Sequence, residues 1–152
     1  MAAVVHAAPA GKDALRAAAD NDDLSLARVA ARLGDDVVLD ALAEASDPVA
    51  QWAAIRAAPH LLDKEQTLLP LTTIAASRDP ELAPLAAWEM VRIAQDLVRE
   101  GLDLREVSPR SLGPARAAMV ALGGDATARP DIRLYAETAA HLLGALGVPA
   151  EH

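Results

Sequence analysis

Three long apolar stretches of this chain open in nearly the same way, at Asp47-Pro48, Asp79-Pro80 and Arg129-Pro130-Asp131. Proline fits the first position of a helix because its missing N–H would have no partner there. A side-chain oxygen just before it can accept one of the open backbone N–H groups. Apolar residues then recur at helical spacing. After the first entry come Val49, Trp52, Ala53, Ile55, Ala57, Ala58, Leu61 and Leu62. After the second come Leu82, Leu85, Ala86, Met90, Val91, Ile93, Ala94 and Leu97, and after the third Ile132, Tyr135, Ala136, Ala139, Ala140, Leu142, Leu143 and Leu146. The first two entries are 32 residues apart and the third follows 50 residues later, an 18-residue excess over an underlying period of 32. Each major helix is preceded by a shorter amphipathic segment. Neither member of such a pair can bury its apolar face alone, so successive pairs are expected to stack.

Composition supports helices over sheets. The chain has 37 Ala and 22 Leu, no Phe and a single Tyr. Ala and Leu lose little side-chain freedom in a helix, and the β-branched and aromatic residues that fill sheets are scarce. At 152 residues, 53% of them apolar, the chain can bury a substantial interior and is not the composition of a disordered segment. Acids exceed bases by 22 to 14, giving a net charge of −8, and they exceed them on both sides of Glu65. That balance opposes binding to a phosphate backbone, which draws its energy from Lys and Arg. The absence of Cys excludes disulfides, thiol nucleophiles and cysteine-ligated zinc.

Punctuation sets the expected boundaries. Residues 1–12 read as an irregular leader, 13–147 as a single helical domain and 148–152 as a frayed tail. A first helix is expected from Asp13 to Ala19 and a second along Leu24, Ala27, Ala30, Ala31 and Leu33, stopped by Gly34. Asp35 and Asp36 suit the next start. Major helices are expected over 48–62, 79–98 and 129–146, with Pro59 kinking the first or ending it early. Shorter ones are expected over Lys64–Ala76 and Pro114–Leu122, and Gly101 to Gly113 reads as an interruption. The apolar start Ala2 to Pro9 is too short to cross a membrane. The expected compartment is the cytoplasm, or an exported location if Ala8-Pro9-Ala10 marks a trimmed export signal.

The helix entries resemble those of the HEAT-repeat family and its bacterial HEAT-like relatives, whose second helix often opens Asp-Pro-any-Val-Arg followed by small residues. Arg129-Pro130-Asp131-Ile132-Arg133, continuing to Ala136 and Ala139-Ala140, is the nearest version. Asp79-Pro80-Glu81-Leu82-Ala83 keeps the opening without the Arg, and Asp47-Pro48-Val49-Ala50 is one residue shorter and also lacks it. The resemblance covers residues 24–147, and the break at 99–113 departs from it. It implies an all-α fold, a short right-handed α/α superhelix of stacked antiparallel helix pairs. The major helices would line a concave binding surface.

No motif for chemistry stands out. His6, His60, His141 and His152 are dispersed, and no paired-His or His-Glu spacing suggests a metal. Asp22, Asp35, Asp47 and Asp79 sit at helix starts, where the open N–H groups and the helix dipole favour carboxylates. Ser25, Ser46, Ser77, Ser108 and Ser111 fall at starts or turns with no nucleophile elbow. Gly123-Gly124 reads as a helix stop rather than a phosphate loop. No cofactor and no catalytic residue is expected. Trp52 and Tyr135 are expected in the core, whereas Trp88 is equally suited to a partner.

The expected function is therefore non-enzymatic: binding or scaffolding of a protein or peptide. The candidate contact residues are Arg56, Trp88, Glu89, Arg92, Arg133 and Glu137, with Gln51 also exposed. Arg56, Arg92 and Arg133 recur on successive major helices, though the family position of Arg133 often ties neighbouring repeats together. Three alternatives come with the fold: an accessory lyase like HEAT-like proteins that attach bilins, a DNA-binding repeat protein like alkylated-DNA glycosylases, or a self-assembling helical protein.

Overall fold

Each of the three polar–proline entries produces the same backbone event. The carbonyl ahead of the proline accepts the first helical hydrogen bond: Asp47 O from Gln51 N at 2.9 Å, Asp79 O from Ala83 N at 3.1 Å, and Arg129 O from Arg133 N at 3.0 Å. Two of the three also use the preceding side chain. Asp47 Oδ1 accepts from Ala50 N at 3.2 Å, and Asp79 Oδ1 accepts from both Glu81 N and Leu82 N at 2.9 Å. A cap of this kind is worth about 1 kcal/mol.

The computed structural model describes residues 14–15, 32–101 and 109–148, and of 109–111 the backbone only. The leader 1–12, most of the first two expected helices, residues 102–108 and the tail 149–152 lie outside them. The described residues are helical, without a strand. Among the described residues six α-helices have both ends defined, in order α1 (Asp35–Ala43), α2 (Pro48–Ala57), α3 (Leu68–Ala75), α4 (Leu82–Glu100), α5 (Pro109–Gly123) and α6 (Pro130–Ala145). The expected all-α class is what these residues form. They belong to two compact units, Met1–Lys64 and Glu65–His152.

In the first unit α1 packs on α2. Gln51 is buried, 7% exposed, because its Nε2 donates to the Leu42 carbonyl at 2.9 Å, near the end of α1. The expectation that Gln51 is exposed is thereby corrected. Asp35 Oδ2 accepts from Asp63 N at 3.0 Å, so this first-turn carboxylate anchors a distant loop. Pro59 ends α2 early, as expected: α2 stops at Ala57 and a 3₁₀ turn, Ala58–His60, follows. Leu62, assigned to the apolar stripe, is 94% exposed, because the chain has already turned extended at Leu61.

In the second unit α3 packs on α4 and α5, and α6 packs on α4 and α5. Short turns join α3 to α4 and α5 to α6, as in antiparallel hairpins. Two hairpins thus stack with α3 beside α5 and α4 beside α6. The expected segment Lys64–Ala76 divides into a 3₁₀ turn, Lys64–Thr67, and α3. The interior is built of Ala and long aliphatics: Leu71, Ala86, Met90, Ile93, Ala94, Leu112, Met119, Ala139 and Leu143 are all fully buried or nearly so.

The expected helix Pro114–Leu122 is corrected to Pro109–Gly123, with Pro114 inside it. Pro109 takes the donor-free first position; Pro114, the sixth residue, forgoes the bond to the Arg110 carbonyl, and the helix continues past it at that cost. Val148 belongs to a helix stop rather than a frayed tail. Gly147, at φ 90°, lets Val148 N reach Leu143 O at 3.1 Å while its own N–H reaches Gly144 O at 3.0 Å. This pair of bonds closes the open carbonyls of α6.

Candidate functional site

Along α4, Trp88, Arg92, Gln95 and Arg99 follow helical spacing and share an outward face. Asp131, Leu134, Tyr135 and Thr138 do the same on α6. The two faces adjoin, because the Trp88 and Tyr135 rings meet edge to face with centroids 5.7 Å apart at 67°. Trp88 is 48% exposed and Leu134 60%, whereas Tyr135 is half-buried. An indole held on one edge by a second ring and open on the other loses little freedom when a partner covers it.

The other expected contact residues divide. Glu89 is buried, 1% exposed, and pairs with Arg92 Nη1 at 3.1 Å. It occupies the apolar stripe of α4 between Ala86 and Ile93, which removes it as a surface contact and corrects that expectation. Arg92 remains 43% exposed at its side chain. Arg133 is half-buried, and its Nε donates to the Gly123 carbonyl at 3.2 Å, tying α6 to the end of α5. Glu137 is exposed beside the same glycine: a Cβ built on Gly123 would lie 2.6 Å from Glu137 Cγ. In the first unit Arg56 lies over the Trp52 ring at 5.7 Å, and both are half-buried.

A second feature, not anticipated from sequence, lies where the turns 76–81 and 124–129 meet. Arg78 Nη2 donates to Thr127 Oγ1 at 2.8 Å across this gap. Thr127 donates in turn to Asp125 Oδ1, from its hydroxyl at 2.6 Å and its N–H at 2.9 Å. Beside this link is a cleft of about 250 Å³, with Ala75, Ala83 and Ile132 in its lining and Arg78, Asp79, Asp125 and Arg129 among its charged residues. Arg129 is held by Asp131 through two bonds, Nε–Oδ1 at 3.1 Å and Nη2–Oδ2 at 2.8 Å. Only the run of turn residues, Ser77 to Pro80 and Gly123 to Pro130, could have signalled the place.

Hydrogen bonds hold both cleft carboxylates below their ordinary pKa. For Asp125 the main cause is the Thr127 hydroxyl, then the Thr127 N–H, with help from the charges of Arg78 and Arg133. For Asp79 it is the Leu82 N–H and then that of Glu81. Both are therefore anions at neutral pH and are poor proton donors. Their effect on stability has a definite sign. With the folded pKa depressed, each contributes fully above the ordinary value of 3.8 and loses that contribution as pH falls through the lower folded value. Asp125→Ala should be less stable than the parent at neutral pH, and the gap should close on acidification below that range. Urea midpoints read across pH check this, and a gap independent of pH would refute it.

Among the described residues no group of three or more His, Asp or Glu is placed to hold a metal, and His60 and His141 are both exposed. No described helix is long and apolar enough to cross a membrane. Comparison with protein-family models, curated proteins and solved structures finds no match.

Proposed function

We propose that this chain is a HEAT-like, non-enzymatic module that binds a polypeptide through the outward face of α4 and α6. The observation that carries this reading is Trp88, large, half-exposed and braced by Tyr135 of the neighbouring helix. Surface tryptophans fixed in this way are the residues on which binding energy concentrates. Exposed Leu134 extends the apolar area, and the partly exposed guanidinium of Arg92 lies one turn from Trp88. The partner's matching chemistry is an apolar anchor residue flanked by a carboxylate. Two stacked hairpins in the second unit and a polar–proline entry that recurs three times along the chain support the HEAT-like reading, whereas Arg133 braces α6 against α5 within one hairpin rather than tying neighbouring repeats.

Affinity capture with the purified chain, followed by direct titration of the captured polypeptide, tests the proposal. Trp88→Ala should weaken binding by at least about tenfold while keeping the parent's helicity and a cooperative unfolding transition, its midpoint lowered by the lost contact with Tyr135. Unchanged affinity in the folded variant would remove this face from the binding role.

A further inference from the structure

The cleft at the turns is not used by the proposed polypeptide surface, and its charged residues are unequally engaged. Asp79 Oδ1 takes two backbone N–H groups, Asp125 Oδ1 takes the Thr127 N–H and hydroxyl, and Arg129 is spanned by Asp131. Arg78 differs. Among the described residues its guanidinium makes one hydrogen bond, to the neutral Thr127 hydroxyl, and no ion pair at contact distance, its charge reaching Asp125 only from beyond that hydroxyl. The rest of a planar five-donor fork is left open, a shape that fits a carboxylate. Its backbone is unusual as well: Arg78 is the one non-glycine residue at positive φ, 67°, among the described residues. Glycine would sit there without strain, so the chain carries a guanidinium at a position where folding alone favours no side chain. The apolar lining of Ala75, Ala83 and Ile132 adds a place for a hydrocarbon stem.

We propose that this cleft binds a carboxylate carried on a short apolar stem, with Arg78 taking the carboxylate and Ala75, Ala83 and Ile132 taking the stem. Two sources share that chemistry: a free short-chain carboxylic acid, and the last residue of a polypeptide that ends in an aliphatic side chain. The proposal stands on residues separate from Trp88 and does not depend on the polypeptide-binding reading.

Titration of the full chain with isovalerate, followed by amide NMR, tests it. Saturable shifts are expected at Arg78, Thr127 and Ile132, and the neutral isostere isovaleramide should bind at least about tenfold more weakly. Arg78→Gly suits the backbone, so it should fold at least as stably as the parent yet lose affinity by a similar factor. If that variant does not fold, Arg78→Gln keeps a long polar side chain without the charge and should show the same loss. An acetylated peptide ending in Ala-Leu with a free carboxylate, set against its amide, separates the sources. Tighter binding of the free-ended peptide than of isovalerate assigns a chain terminus, and the reverse order assigns a free acid. Trp88→Ala should leave all of these titrations unchanged. The proposal is overturned if isopentylamine binds the same residues as well as isovalerate does. Shifts that persist in the folded Arg78 variants overturn it too, as does the absence of saturable binding by both isovalerate and the peptide.

Discussion

Met90→Ala should lower the stability of the second unit by about 2–5 kcal/mol, toward the upper end of that range. Met90 is fully buried on the inward face of α4, close to fully buried Ala86, Ile93 and Ala94. The Thr72 hydroxyl of α3 lies 3.0 Å from its sulfur and donates to Leu68 O at 2.7 Å. That donation keeps Thr72 in place when Met90 is cut back. The alanines have no longer side chains to swing into the void, so the cavity would persist, and the cost of such a deletion rises with the volume left empty. Met90→Leu conserves volume and should cost less than about 1.5 kcal/mol. Trp88 fluorescence in a Trp52→Phe background reports the second unit, and urea midpoints at constant slope give both values. Equal losses for the two variants would mean that sulfur contact, rather than volume, matters at this position.

Arg116→Ala should cost about 2–3 kcal/mol, and it should also reverse the sign of a second substitution. From α5 the guanidinium reaches the end of α6, where Nε donates to Ala140 O at 3.0 Å and Nη1 to Val148 O at 2.6 Å. Each is a part-buried, charge-assisted bond near the negative end of a helix, and deleting the side chain loses both. Gly144 makes room for it: a Cβ there would lie 2.5 Å from Nη2 and 3.0 Å from Cζ. Gly144→Ala in the parent should therefore be destabilising, because the clamped guanidinium must leave its carbonyls. In the Arg116→Ala background the obstruction is gone, and the alanine should stabilise α6 by about 1 kcal/mol through its higher helix propensity. A double-mutant cycle read by denaturation checks the reversal. Additive effects at 116 and 144 would show that the glycine is not kept for the arginine.

The helical class and most helix limits were legible because local chemistry sets them. Proline and capping aspartate open α2 and α4, Pro59 closes α2, and Gly101 at φ 68° closes α4. The start of α5 was misread because Gly113-Pro114 was preferred to Ser108-Pro109, although the latter is a polar–proline pair like those that open the major helices. Gln51 and Glu89 were misplaced because their burial depends on particular partners, a carbonyl of α1 and the guanidinium of Arg92. The position of Glu89 within the stripe Leu82, Ala86, Ile93 and Leu97 was the available warning. The link from Arg78 to Thr127 spans 49 residues. Spacing within either turn carries no trace of it, so the cleft is a product of how the hairpins stack.

The arginines that brace α5 against α6 aim at main-chain oxygens, those of Ala140, Val148 and Gly123. A carbonyl is the same whatever side chain its residue bears, so drift at positions 140 and 148 need not break these bonds. Correlated substitution would therefore fail to link 116 to the residues it holds. It should link 116 to 144 instead, since a long side chain at the first requires none at the second. The clearest evolutionary trace of this brace would fall on a pair joined by no bond, whose shared property is the space one leaves for the other.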